Sequence, residues 1–126
     1  MKQEYKELLL KDLCGRLPYG IIGLYTWKNK RSYDKKLTGN LYDELKSSWN
    51  STEDSQFLPY LRPMSSMTED EEIEYDATFV TIKMSDEHYD STMTYKSFDW
   101  LNAHHFDYRG LIEKGLAIEA PNDMYL

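Results

Sequence analysis

The sequence predicts an α+β fold in a single domain spanning residues 1–126, with a small antiparallel sheet, an N-terminal helix and two short C-terminal helices. Three observations carry this. Apolar residues recur at three and four spacing between Lys2 and Leu17, strict alternation runs from Thr78 to Met84, and two helix signals crowd the last thirty residues. A chain of 126 residues is long enough to bury a core without staples, and no repeat, low-complexity tract or linker divides it.

In order, Tyr5, Leu8, Leu9, Leu13 and Leu17 form the apolar stripe of a first helix, and Lys2, Glu4, Lys6, Glu7, Lys11 and Asp12 form its polar side. Gly15 and Pro18 mark its exit, and Cys14 beside Leu13 is expected to pack as a small buried hydrophobe. Gly20 to Trp27 (GIIGLYTW) is β-branched and aromatic and reads as a strand. Leu37, Leu41 and Leu45 suit a strand or a helix. Because Thr38, Gly39 and Asn40 weaken a helical start, Lys36 to Leu45 is read as a strand paired with Gly20 to Trp27, followed by an exposed loop, Lys46 to Gln56.

Pro59 and Pro63 argue against a helix or a central strand in Phe57 to Met67, which is expected to drape over the core. Thr68 and Glu71 form a capping box before a short acidic helix, whose run Glu69 to Glu72 has the chemistry of a phosphate mimic or a divalent-cation site but is accounted for by the helix dipole alone. Thr78 to Met84 (TFVTIKM) is a strand with one face expected to be buried, and Asp86 to Lys96 a loop with His88 exposed. Ser97 is the expected cap of a helix carrying Phe98, Trp100, Leu101, His104 and His105. Asp107 caps a second helix, Tyr108 to Lys114, which Gly115 ends in the left-handed conformation, and Leu116 to Ile118 follows as a strand or docking segment.

A net charge of −7 opposes general affinity for nucleic acid, and the basic cluster Lys28, Lys30, Arg31, Lys35 and Lys36 reads as a solvated loop. One cysteine excludes an internal disulfide and a cysteine-based zinc cage. The charged start MKQEYKELLL has no apolar run for a signal peptide or membrane span, so a cytoplasmic protein is expected. Eleven tyrosines point to a binding surface.

Two constellations carry candidate chemistry. Asp99, His104, His105 and Asp107 have the residue types of a hydrolytic metal site, with His104, His105 and Asp107 as the candidate ligands, although adjacent helical histidines diverge by about 100° and no recognised ligand spacing is present. Arg16, Tyr19, Tyr60, Arg62, Tyr108 and Arg109 pair guanidinium groups with aromatic rings, which suits a nucleotide-type small ligand; the same placements suit ion pairs that tie loops to helices. Neither a nucleophile elbow nor a phosphate loop is present, and no cofactor is implied.

Three blocks, LLLKDLCGRLPYG (Leu8 to Gly20), YLRPMSSMTEDEE (Tyr60 to Glu72) and LNAHHFDYRGLIEKGLAIEAPNDMY (Leu101 to Tyr125), resemble a family of small uncharacterised proteins of gut Bacteroidales, their phages and mobile elements. The resemblance implies a context, a phage or mobile element in a bacterial cytoplasm, and no activity. The expected function is accordingly non-catalytic: an accessory protein that binds a host protein or assembles with itself. A nucleotide-binding or sequestering protein and a metal-dependent hydrolase are the alternatives.

Overall fold

Residues 2–27, 31–49 and 56–125 are described in the computed structural model of the chain. Helix α1, Gln3–Arg16, leads through a tight turn, Leu17–Tyr19, into strand β1, Ile22–Trp27, with Gly20 left-handed at the corner. Leu9 and Leu13 lie inward as the spacing predicts, with Tyr5, Leu8 and Leu17 at the margin. Two expectations for this helix are corrected. Asp12 is fully buried, because Arg16 one turn later neutralises it at 2.7 Å and both can then continue the Leu9–Leu13 stripe. Cys14 is exposed, since one step beyond Leu13 turns a side chain by about 100° and out of that stripe.

Strand β2, Arg31–Lys36, pairs antiparallel with β1 from Ile22↔Lys36 to Trp27↔Arg31. The next segment is helix α2, Gly39–Trp49, and not the strand expected over Lys36 to Leu45. Thr38, taken as a weak start, is the cap: its hydroxyl accepts from the Leu41 amide at 3.2 Å and its carbonyl from the Tyr42 amide at 2.9 Å. Four-residue spacing then puts Leu41 and Leu45 on the buried side, with Leu37 buried just before the cap. Of the predicted loop Lys46 to Gln56, Lys46 to Trp49 are the end of this helix and Gln56 opens the next strand, while 50–55 lie outside the described residues, as do Lys28 and Lys30.

Strand β3, Gln56–Pro63, is the centre of the sheet and corrects the draped segment. It pairs antiparallel with β1, from Gly23↔Pro59 to Thr26↔Gln56, and beyond Pro59 takes up two short parallel strands from the C-terminal region. The prolines are tolerated because Pro59 falls where the β1 ladder ends and Pro63 is the last residue, so neither removes a donor from mid-ladder. Phe57, Pro59 and Leu61 face inward. Gly23 makes room for them, since a Cβ there would stand 2.4 Å from Phe57 Cζ and 2.8 Å from the Leu58 carbonyl.

Helix α3, Glu69–Asp76, has the predicted reciprocal box between Thr68 and Glu71. Strands β4, Val80–Ser85, and β5, His88–Thr92, follow as a separate two-stranded hairpin. This corrects two expectations, since neither face of β4 is buried and half of the predicted loop is β5. Helix α4, Tyr95–Ala103, starts earlier than predicted. Thr94 is its cap and Ser97 the third residue, whose hydroxyl reaches back to the Thr94 amide at 3.0 Å.

The two parallel strands on β3 are β6, Phe106–Asp107, and β7, Ile118–Glu119, in the order β2-β1-β3-β6 with β7 also on β3. Between them the predicted second helix is a run of turns. Asp107 caps it as expected, accepting from the amides of Leu111 and Ile112, and Gly115 closes it at φ 74°, but Gly110 at φ 70° breaks the helical path near its start. Leu9, Leu13, Leu41, Leu45, Phe57 and Leu61 lead the core, each contributing about 1.5–3 kcal/mol by burial. The fold is α+β in one domain, and among the described residues no helix is long and apolar enough to cross a membrane.

Candidate functional site

The arginine and tyrosine candidates separate into two groups with Phe106 between them. On one side Arg16, fully buried, donates from Nε and Nη2 to the Asp12 carboxylate at 2.7 and 3.2 Å, and from Nη2 to the Phe106 carbonyl at 2.7 Å. Arg109 reaches the same carboxylate at 2.8 Å. The Tyr108 ring is flanked by both guanidiniums, at 5.2 and 4.9 Å from its centroid, and its hydroxyl donates to Asn102. α1 is thereby bolted to the C-terminal turns, with two cations on one buried anion.

On the other side Arg62 forks onto Glu71 at 2.6 and 2.8 Å and lies 4.1 Å over the Phe106 ring. The Arg62 hydrogen bonds hold the Glu71 carboxyl down at about 2. Tyr60 donates to Asp34 at 2.8 Å, which raises its own pKa, and Tyr19 is exposed on the turn after α1. The carboxylates of Asp12, Asp34 and Glu71 therefore complete this set. Their cationic and phenolic partners stand out in the sequence and the carboxylates do not; the spacing of Asp12 and Arg16 at i, i+4 is the available signal.

The histidines lie past the end of α4 at Ala103 and not on the helix as expected, and a left-handed turn at His105 separates their rings. His104 caps α4, stacks on Trp100 at 4.0 Å, and holds its Nδ1 2.8 Å from the Trp100 carbonyl. A carbonyl only accepts, so Nδ1 carries the proton. His105 follows at φ 64°, a left-handed position that usually belongs to glycine after a helix, and its carbonyl accepts from the Arg62 amide. Its ring is stacked on Tyr125 at 3.8 Å, and its buried Nδ1 has no hydrogen-bond partner among the described residues. Burial, then the charges of Arg16, His104 and Arg62, pushes this imidazole down to about 4. Both Asp107 oxygens are taken by backbone amides, and no three histidine, cysteine or acidic side chains gather for a metal ion among the described residues.

Tyr125 anchors the C-terminal segment. Its hydroxyl accepts from the Ile22 amide at 3.1 Å and lies 2.7 Å from the Tyr60 carbonyl, and burial pushes its pKa up to about 12. Arg62, Glu71, His104, Glu119, Asn122 and Tyr125 line a cleft of about 470 Å³. Its cation is already matched to its own carboxylate.

An exposed surface lies elsewhere, on the hairpin β4–β5, which forms an arm between α3 and α4. Its root is firmly tied: Thr94 Oγ1 donates to the Thr78 carbonyl at 2.9 Å, the Thr78 hydroxyl lies 2.7 Å from Ser97 Oγ, and Tyr75 packs against Phe79 and Trp100. Beyond the root every residue of both strands is exposed. Val80 and Ile82, each 46% exposed, share one face; Met84, 61% exposed, sits at the bulge where the register slips between Lys83 and Ser85. The alternation in TFVTIKM signalled the strand, and nothing in the sequence signalled that no layer covers it. Searches of protein-family models, curated proteins and solved structures find nothing similar to this chain.

Proposed function

We propose that this chain is a non-catalytic interaction protein, an accessory of a phage or mobile element in a bacterial cytoplasm, which docks on a protein partner through the outer edge of β4. The arm carries this reading. A hairpin alone in water is marginal, and an exposed strand rich in β-branched residues is the kind of edge that proteins cover or guard unless another strand is to be added to it. Here, among the described residues, no strand but β5 pairs with β4, so its other edge is open over Val80 to Ile82 while its root is fixed. The cellular context rests on the three blocks that resemble proteins of Bacteroidales, their phages and mobile elements. Support also comes from the arginines, since Arg16, Arg62 and Arg109 are each engaged by a carboxylate of the protein itself, the use expected of ties between loops and helices.

The test compares the wild-type protein with a Val80→Lys, Ile82→Lys variant in cross-linking and co-purification from the bacterial host. Both positions are exposed, so stability should move by no more than about 0.5 kcal/mol, while a partner held through the arm should be lost. A partner retained equally by the variant would place the docking surface elsewhere.

A further inference from the structure

We infer that the strand added to β4 is the β4 of a second copy of this chain, antiparallel and centred on Thr81; this rests on the arm being the docking surface. A two-fold axis perpendicular to a sheet keeps each strand's faces, so residue i of one copy must oppose a residue of the same face in the other. Around Thr81 the strand reads Val80, Thr81, Ile82, which is symmetric in chemical type. An axis through Thr81 sets Val80 against Ile82 of the second copy, Ile82 against its Val80, and the two threonines against each other. Apolar β-branched pairs and threonine pairs are favourable cross-strand neighbours, and all of these residues lie in the regular part of β4, before the bulge.

Charge disfavours the other strand and the register centred on Lys83. β4 carries a single charge, Lys83, and an axis through Thr81 keeps the two Lys83 ammonium groups four residues apart, whereas an axis through Lys83 would oppose them. β5 is guarded by Asp90 at its centre, since two copies aligned at full overlap would set carboxylate against carboxylate. So short an edge belongs with weak, concentration-dependent pairs and not with permanent dimers. Each copy carries a formal charge of −7, so added salt should strengthen the pair by screening that repulsion.

Sedimentation of the wild-type chain from dilute to concentrated solution, together with oxidative cross-linking of single cysteines, tests this. The background is Cys14→Ser, because Cys14 is exposed. Thr81→Cys should give about tenfold more covalent dimer than Lys83→Cys, since the paired Cβ atoms would lie about 5 Å apart at Thr81 and beyond about 13 Å at Lys83. Reversible dimers in the wild-type protein that Ile82→Lys abolishes would agree. A monomer at every concentration, or equal cross-linking at the two positions, overturns the second copy as occupant. If a host protein is nevertheless lost in the Val80→Lys, Ile82→Lys variant, the arm remains the docking surface with a different occupant; if no partner depends on the arm, both readings fall.

Discussion

At the scale of single residues, the tension is concentrated in buried charge and in one left-handed histidine. Asp12 holds Arg16 and Arg109 together, so Asp12→Asn should cost about 3–5 kcal/mol in urea unfolding, the range for breaking a buried pair and leaving its cation unmatched. A loss below 1 kcal/mol would show that the guanidiniums find other acceptors. His105 sets an acid limit. It is neutral in the folded protein, with its pKa near 4, while the unfolded chain takes up a proton around the ordinary value of 6.5. Unfolding therefore binds protons in that window, and stability should fall as pH drops from about 6.5 to about 4. Glu71 is depressed from 4.5 to about 2, so the stability from its pairing with Arg62 is present above 4.5 and is lost between about 4.5 and about 2. Chemical denaturation across pH should show the first decline disappear in His105→Gln while the second persists. An unchanged upper window in that variant would assign the decline to another group.

At the scale of elements, what was legible depended on whether local signals agreed with tertiary position. The leucine stripe of α1, the capping box of α3 and the cap at Asp107 rest on contacts within a few residues, and all of them form. Lys36 to Leu45 is ambiguous in the sequence because Leu37, Leu41 and Leu45 satisfy two periods, and the deciding feature is the Thr38 cap, a single hydroxyl. β3 was hidden because proline tolerance depends on where neighbouring ladders end, which is a property of β1, β6 and β7 and not of the strand itself. Gly23 is a point where that packing can be tested. Gly23→Ala would drive a methyl into Phe57 and the Leu58 carbonyl, and should destabilise by about 1–3 kcal/mol in urea unfolding. A neutral effect would mean that β1 and β3 are less closely apposed than the pairing indicates.

At the scale of the whole molecule, the body and the arm differ in kind. The body is closed: Arg16, Arg62 and Arg109 meet carboxylates, Tyr125 fastens the C-terminal segment to β1 and β3, and leucines from α1 and α2 fill the space against the sheet. The candidate residues lay in the sequence, but their partners lay up to 97 positions away, as for Arg109 and Asp12, and no local pattern announces such a pair. Strand β4 of the arm is the reverse case, legible as a strand and silent about its exposure, because alternation reports two faces and not what covers them. The most direct measurement is amide hydrogen exchange, residue by residue, on dilute and on concentrated protein. Docking of β4 on a second copy predicts that those amides of Val80 to Lys83 that point away from β5 exchange fast in dilute solution and slow clearly on concentration, with β1 and β3 protected throughout. Outward amides of β4 already protected in the dilute monomer, or unchanged on concentration, would contradict it.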